Sequence, residues 1–205
     1  MVKLGGSLGG SDALRAWLDL LADAPGPPRV VVPGGGIFAD AVRDAQVRWR
    51  FDDRTAHRLA ILAMRQTGLL LAALAPRLRP SGTDDVAEAA AAHGTAVWLL
   101  DEGIADDPAL PASWSVTSDS IALWLGARLR AERVVLVKSA KLPVGSAGAA
   151  SLAAAGIVDA AFPMFAGSFA GEIVLLHRDD TTGFRALLAG TPAGCPVVVD
   201  AAAPR

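Results

Sequence analysis

The sequence predicts an α/β fold: a three-layer αβα sandwich around a mainly parallel central sheet. Short β-rich runs alternate with longer helical patterns along the chain, which favours strand–helix–strand units and a parallel sheet. The strand candidates, such as residues 30–32 and 134–137, are continuous apolar runs rich in β-branched residues, as in strands buried on both faces. The length of 205 residues suits a single domain built in two lobes.

The N-terminal half is predicted to hold three strands and four helices. Ser11 can cap the first helix, and Asp53 can cap the long third helix, whose apolar residues keep the 3,4 spacing of a buried stripe. Pro33 with three glycines ends the second strand, and Pro76 ends the long helix. The predicted elements are a strand at 2–4, a helix at 12–22, a strand at 29–32, helices at 37–47, 54–75 and 84–93, and a strand at 96–100.

The C-terminal half continues this alternation after a loop over 101–114. Thr117 or Ser118 opens a helix, Lys138 ends a strand, and glycine and alanine dominate after Pro143. The predicted elements are a helix from 117 or 118 to 131, a strand at 133–137, a helix near 147–155, a strand at 172–177, a helix at 182–189 and a strand at 196–199. The change in composition predicts one lobe over 1–132 and a second, shorter lobe over 133–205.

The composition excludes several classes of protein. Apolar residues make up 52% of the chain, which excludes disorder, and a net charge of −2 argues against a dedicated nucleic-acid binder. The single cysteine, Cys195, excludes an internal disulfide and is expected to be a packed thiol. Because no secretory h-region, lipidation motif or run of about 20 apolar residues occurs, we expect a cytoplasmic protein that does not bind membranes.

Two glycine-rich loops follow neighbouring strands and predict a phosphate site. Lys3-Leu4-Gly5-Gly6-Ser7 and Pro33-Gly34-Gly35-Gly36 each connect a strand to a helix start, where open parallel sheets bind ligands. Glycines let backbone N–H groups approach phosphate oxygens, and a helix N-terminus favours negative charge. Neither loop has the spacing of the common phosphate-loop motifs, and a glycine-rich loop taken alone is more often a simple turn. The pairing of the two loops therefore carries the prediction.

Lysine is scarce in this chain. Of the 19 basic residues only Lys3, Lys138 and Lys141 are lysines, and the other 16 are arginines. Composition bias explains the scarcity, but Lys3 stands beside a glycine loop and Lys138 ends a strand. Two ammonium groups there would neutralise a phosphoryl group during transfer. Asp119, within Thr117-Ser118-Asp119-Ser120, is either an ordinary residue of a helix N-terminus or the carboxylate that holds both lysines.

Hydrolase and metal chemistry are weaker interpretations. The segment Gly5-Gly6-Ser7-Leu8-Gly9 has the letters of a nucleophile elbow, and His177 is available as a base. A strand this early in the chain, however, leaves no preceding strand loop to form an oxyanion hole. No His-Glu-x-x-His motif or cysteine–histidine cluster occurs, so we predict no protein-held metal.

Four motifs in this order resemble the amino acid kinase superfamily, which includes aspartate, acetylglutamate, uridylate and isopentenyl phosphate kinases. They are Lys3-Leu4-Gly5-Gly6-Ser7, Val32-Pro33-Gly34-Gly35-Gly36, Thr117-Ser118-Asp119-Ser120 and Leu136-Val137-Lys138-Ser139. The segments 33–43, 56–64 and 114–122 are similar to the small branch that contains the kinase of methanofuran biosynthesis, which phosphorylates the phosphate of an aminomethylfuran-methyl phosphate.

The resemblance implies an ATP-dependent kinase that uses Mg²⁺ bound to ATP, takes a small phosphorylated substrate, and forms a homo-oligomer or a subunit of a cofactor-biosynthesis assembly. It implies three groups of site residues. These are Lys3, Asp119 and Lys138 for catalysis; Gly5, Gly6, Ser7, Ser139 and Lys141 for the nucleotide phosphates; and Gly34, Gly35, Gly36, Arg43, His57, Thr117 and Ser118 for the acceptor.

The chain departs from the family pattern after Lys138. Many relatives continue the fourth motif with Val-Asp-Gly, whereas this chain has Ala140-Lys141-Leu142-Pro143. Two questions stay open at this point. One is whether Lys138 or Lys141 is the second lysine that contacts the phosphoryl group. The other is whether the chain phosphorylates this acceptor, phosphorylates another (a carboxylate, UMP or isopentenyl phosphate), or is a non-catalytic subunit that binds nucleotides or anions.

Overall fold

Eight strands form one sheet in the part of the chain that the computed structural model describes, residues 1–191, 194 and 196–201. The strands are β1 (Val2–Leu4), β2 (Arg29–Pro33), β3 (Arg79–Ser81), β4 (Thr95–Trp98), β5 (Arg133–Lys138), β6 (Ser146–Gly148), β7 (Glu172–His177) and β8 (Val197–Asp200). Their order is β3-β4-β2-β1-β5-β7-β8-β6, and all neighbours are parallel except β7 and β8. The predicted fold class is confirmed. The predicted packing of Cys195 lies outside the described residues.

Helices cover both faces of this sheet. They are α1 (Asp12–Asp23), α2 (Gly36–Trp49), α3 (Asp53–Leu74), α4 (Val86–His93), α5 (Ser118–Arg128), α6 (Ala149–Ala154), α7 (Phe162–Ser168) and α8 (Thr181–Ala189). Asp52, not Asp53, caps α3, because the Asp52 carboxylate accepts a hydrogen bond from the Thr55 backbone N–H at 2.7 Å. None of the described helices is long and apolar enough to cross a membrane.

Alternating strand residues supply two separate cores. Val31 and Val135 belong to the core under α1 and α8, whereas Val32 and Leu136 belong to the core under α4, α5, α6 and α7. The central strands β2, β5 and β7 are buried along their length, as their continuous apolar sequences predict.

The unpredicted elements are β3, β6 and α7. The strands β3 and β6 form the two edges of the sheet, so they need no apolar run. Pro80 is tolerated within β3 because it lies on an edge. The helix predicted near 147–155 includes Ala147 and Gly148, but both residues belong to β6 and pair with β8, and α6 begins at Ala149.

Candidate active site

Lys3 and Lys138 extend from neighbouring strands toward the same face of the sheet. Val2 and Leu4 pack in the core under α1, so Lys3 between them faces the opposite side, which α5 covers. Lys138 has the strand parity of Leu136, which packs in the core under α5. Because β1 and β5 are paired in parallel, the two ammonium groups converge on the N-terminal turn of α5.

Asp119 in that turn binds both lysines. Its Oδ1 accepts a hydrogen bond from Lys3 Nζ at 2.7 Å, and its Oδ2 accepts one from Lys138 Nζ at 2.8 Å. Lys3 and Asp119 are each only 4% exposed. A buried carboxylate between two ammonium groups is ionised and fixes the position of both. We call this cluster the Lys–Asp–Lys bridge.

The electrostatics of the bridge are set by burial and by the close charges. Burial acts to raise the pKa of Asp119, but the charges of Lys3 and Lys138 outweigh it and hold that pKa below its ordinary value. Burial, together with the like charge of Lys3, lowers the pKa of Lys138. Asp119 therefore stays ionised, and the protonation of Lys138 depends on the charges around it.

Lys141 lies apart from this bridge. Lys141 is exposed in the loop that follows β5. Of the two lysines near the end of β5, it is Lys138 that contacts Asp119. Ser139, between them, shares a hydrogen bond of 2.9 Å with Ser7, which joins the segment after β5 to the first glycine loop. Ser7 therefore has Ser139 as its partner rather than a histidine.

The two glycine loops pack directly against each other. A Cβ at Gly6 would lie 2.4 Å from the backbone nitrogen of Gly36, and a Cβ at Gly34 would lie 2.4 Å from the nitrogen of Gly6. The Gly34 N–H donates to the Leu4 carbonyl at 2.9 Å. At Gly6 and Gly34, close contact between the two loops is by itself enough to require glycine. Gly36 has φ +56°, a left-handed conformation that favours glycine.

A cavity of about 400 Å³ opens beside these loops. It is lined by Gly6 and Ser7 and by every predicted acceptor residue except Gly34, which is buried against Gly6. Apolar side chains form much of the remaining wall. They are Ile37, Ala39, Ala60, Ile61, Met64, Val116 and Ile121. We call this space the acceptor cavity.

An aromatic wall with a charged rim closes one side of the acceptor cavity. The Arg43 guanidinium lies 4.3 Å from the centre of the Trp114 ring, and Trp114 Nε1 donates to Gln46 Oε1 at 2.6 Å. Asp40 pairs with Arg43 at 3.2 Å. The hydrogen bond to Gln46 and the contact with Arg43 fix the position of the Trp114 indole ring. The charges of Asp40 and Arg43 offset each other beside it.

His57 is the buried histidine of the acceptor cavity. It is 5% exposed, and its Nε2 has no hydrogen-bond partner among the described residues. Burial lowers the pKa of His57, so its imidazole is neutral at physiological pH. A neutral imidazole without a partner is suited to a polar group of a ligand, as an acceptor or a donor.

Asp159 is the site residue that sequence reasoning missed. Its Oδ2 accepts hydrogen bonds from the Thr117 N–H at 3.0 Å, the Thr117 hydroxyl at 2.8 Å and the Ser120 N–H at 3.0 Å, and its Oδ1 accepts one from the Ser120 hydroxyl. It therefore caps α5 from a distant segment. The sequence does contain a signal for Asp159, since it is the single charged residue between Leu142 and Gly171.

A model of the amino acid kinase family matches residues 1–141. The chain belongs to the amino acid kinase family. The chain is 28% identical over 137 residues to the [5-(aminomethyl)furan-3-yl]methyl phosphate kinase of Methanocaldococcus jannaschii, and the match covers 66% of this chain and 63% of the relative. The matched region thus spans less than two thirds of that relative's length.

Solved structures of the same fold extend the comparison to almost the whole chain. The uridylate kinase of Archaeoglobus fulgidus matches with a TM-score of 0.70 at 13% identity, over 97% of this chain and 99% of that one. The UMP kinase of Bacillus anthracis matches with a TM-score of 0.66 at 14% identity, over 98% and 95%. At these identities the likeness establishes the fold, including the C-terminal part that the family model does not reach.

Proposed function

We propose that this member of the amino acid kinase family is an ATP-dependent phosphotransferase that acts on a small phosphate monoester. The observation that carries the proposal is the Lys–Asp–Lys bridge next to two packed glycine loops and the acceptor cavity. Phosphoryl transfer needs little covalent chemistry from a protein, and most of the catalysis comes from positioning and charge neutralisation. The bridge and the loops supply both.

The acceptor we propose is [5-(aminomethyl)furan-3-yl]methyl phosphate, the compound named for the Methanocaldococcus relative. A cavity of about 400 Å³ with an indole wall and a buried neutral histidine suits a small aromatic molecule that carries polar groups. Residues 1–132 would then form the acceptor lobe and residues 133–205 the nucleotide lobe of a cytoplasmic enzyme.

In the proposed reaction, an oxygen of the acceptor phosphate attacks the γ-phosphorus of ATP. The bond from that phosphorus to the β–γ bridging oxygen breaks, so ADP leaves and the acceptor becomes a diphosphate. Each lysine ammonium has three N–H donors and gives one to Asp119, so two on Lys3 and two on Lys138 remain for the transferred group. Asp119 orients both ammonium groups.

The glycine loops and their flanking residues divide the other phosphates between them. We assign Gly5, Gly6, Ser7, Ser139 and Lys141 to the nucleotide, and the loop Gly34–Gly36 with the N-terminus of α2 to the acceptor phosphate. The Mg²⁺ that accompanies ATP would add charge neutralisation and would be held by the phosphates. This fits the site, because both Asp119 oxygens are engaged by lysines and the described residues contain no cluster of three metal-ligating side chains.

Replacing Lys3 tests this proposal. Lys3→Ala removes one of two charges that neutralise the transferred group, so kcat for ADP release with the phosphate monoester should fall by about 100- to 1,000-fold. Arg77→Ala is the matched control, since it removes a cation that is exposed and paired with Asp23. Circular dichroism checks that both variants fold. A folded Lys3→Ala variant with the wild-type rate would overturn the proposal.

The loop Ala140-Lys141-Leu142-Pro143 favours one alternative, a non-catalytic subunit that binds nucleotides or anions, because the family's Val-Asp-Gly is absent there. Calorimetric titration with ATP and Mg²⁺, followed by ADP release with a panel of phosphate monoesters and carboxylates, separates the possibilities. If ATP binds but no acceptor is phosphorylated, the non-catalytic subunit is supported. If a different acceptor is phosphorylated, the chain is a kinase and the proposed substrate is wrong.

A further inference from the structure

Asp159 connects two parts of the chain that the proposed reaction must hold together. It lies in the segment between α6 and α7, and its carboxylate reaches the first turn of α5, which carries Asp119. Thr117 and Ser120 each give it a backbone N–H and a hydroxyl. These are the N–H groups that a helix N-terminus otherwise offers to a ligand or to water. A side chain of the protein has taken this position.

This arrangement has a consequence for the acceptor phosphate. Because the N–H and the hydroxyl of Thr117 donate to Asp159, neither hydrogen remains for the acceptor. Thr117 can still accept a hydrogen bond through its hydroxyl oxygen, so its predicted contact with the acceptor stays a prediction. Ser118, which is also predicted to bind the acceptor, lines the same cavity.

The charges around the bridge give Asp159 a second effect. Lys3, Lys138 and Asp119 alone carry a net charge of one positive, in a largely buried place. Asp159 adds the negative charge that brings the set to zero. A buried set of charges is tolerated when its members are paired or hydrogen-bonded: Lys3, Asp119 and Lys138 are joined by ion pairs, and Asp159 accepts hydrogen bonds from Thr117 and Ser120.

We propose, resting on the proposed phosphotransfer, that Asp159 is a positioning residue: it fixes the α5 turn that carries Asp119 and supplies the second negative charge beside the lysine pair. It acts through Asp119 and Lys138 and does not touch the substrates. The reaction thereby depends on a residue far along the chain from the two glycine loops, in the proposed nucleotide lobe.

Several charged groups surround Lys138, and the test must separate the effect of Asp159 from that of the others. Three charges act on Lys138: Lys3 from β1, Asp119 from α5, and Asp159 from the segment between α6 and α7. In addition, His177 of β7 lies opposite Lys138 in register, with Asp179 beside it. Burial and Lys3 lower the pKa of Lys138, while Asp119 and Asp159 act to raise it. Removing the negative charge of Asp159 should therefore let Lys138 lose its proton at lower pH.

The experiment compares Asp159→Asn with Ser120→Ala in the full chain. Asp159→Asn removes the charge and keeps a side chain of the same shape, whereas Ser120→Ala removes one hydrogen bond to Asp159 and keeps the charge. We expect Asp159→Asn to lower kcat by about 10- to 100-fold with smaller changes in both KM values, because Asp119 is displaced. The alkaline limb of its kcat–pH profile should move to lower pH. Ser120→Ala should show no such movement.

Direct titration makes the result independent of enzyme activity. With only three lysines in the chain, ¹³C labelling of the lysine ε-carbons gives three signals, and the Lys138 signal is assigned by its loss in Lys138→Ala. A lower titration midpoint in Asp159→Asn than in wild type supports the proposal even if no acceptor is found. Should Asp159→Asn fail to fold, Asp159→Glu, which keeps the charge, must titrate like wild type. An unchanged midpoint in Asp159→Asn, or a lowered one in Asp159→Glu, overturns the proposal.

Discussion

Replacing Asp119 by asparagine removes the charge of the shared carboxylate and changes almost nothing else. The amide keeps one oxygen, so it can accept a hydrogen bond from one lysine. Its NH₂ group, however, presents donors to the other ammonium. In wild type the distances from Asp119 to Lys3 and Lys138 are 2.7 and 2.8 Å, so the lysine that faces the NH₂ group has no room to keep its position.

The size of the effect follows from burial of this bridge. Removing one partner of a buried ion pair costs about 3–5 kcal/mol, since the charge that remains is desolvated and unpaired. We expect the free energy of unfolding to fall by about this amount. If about 4 kcal/mol of the transition-state stabilisation depends on the two fixed ammonium groups, kcat falls by about 1,000-fold, because each 1.36 kcal/mol is a factor of ten.

The pH dependence of stability gives an independent test of the contribution of the Asp119 charge. The pKa of Asp119 is held below its ordinary value in the folded protein, so its contribution to stability is present above the pKa of the unfolded chain. That contribution is lost as pH falls through the folded pKa. The Asp119→Asn variant should lack this acid-induced loss, which urea denaturation at several pH values below about 5 would measure.

The assay is ADP release, at a temperature where urea denaturation shows that the variant is folded. Asp23→Asn is the matched control, since Asp23 also pairs with a cation, Arg77, but lies exposed at the end of α1. We expect that control to keep the wild-type kcat. If folded Asp119→Asn retains kcat within tenfold of wild type, or loses no more than Asp23→Asn, the bridge does not organise the site.

Two further substitutions separate roles within the site. Lys138→Ala should lower kcat by about 100-fold or more, whereas Lys141→Ala should mainly raise the KM for ATP; the opposite pattern would make Lys141 the phosphoryl-contacting lysine. His57→Phe should raise the acceptor KM and yet stabilise the fold by about 1 kcal/mol, because a buried nitrogen without a partner is removed. Burial lowers the pKa of His57, so wild-type stability should decline as pH falls below about 6.5 and the variant should lose part of that decline; equal urea midpoints for both proteins at pH 5.5 and 8 would contradict this.

The central part of the fold was accessible from sequence because its strands are buried on both faces. Continuous apolar runs such as Val134–Val137 of β5 have no other stable location in an α/β protein. The edge strands escaped prediction for the converse reason. Ser146–Gly148 has small side chains and no apolar run, and its pairing with β8 depends on where the rest of the sheet ends. Edge pairing is a property of the tertiary structure and leaves little trace in the local sequence.

For the glycines of the site, the sequence gives only part of the reason why glycine is needed. The sequence predicts that Gly6 and Gly34 allow a phosphate to approach the backbone. In the structure, contact between the two loops already requires glycine at both positions, whatever binds beside them. Local sequence shows that a Cβ is absent, but only the packing of β1 beside β2 shows what occupies its place.

Strand parity explains why Lys138, and not Lys141, belongs to the Lys–Asp–Lys bridge. Lys138 is the last residue of β5 and faces the same core as Val134 and Leu136, so its direction is fixed by the pleat. Lys141 follows the strand by three residues and is exposed, so no neighbouring element fixes its direction. A lysine in register with a buried strand reaches Asp119, and a lysine in the loop beyond does not.

Lys3, Lys138 and Asp159 share a sequence context that explains why they identify the site. Lys3 stands between buried Val2 and Leu4, Lys138 follows a buried apolar strand, and Asp159 is alone in a stretch of small and apolar residues. A lone charge in such a context faces a desolvation cost that an opposite charge or several hydrogen bonds must offset. Isolated charges of this kind therefore lie where the fold brings polar groups together. Counting scarce lysines found two of them, and the same count applied to acids in charge-poor segments finds Asp159.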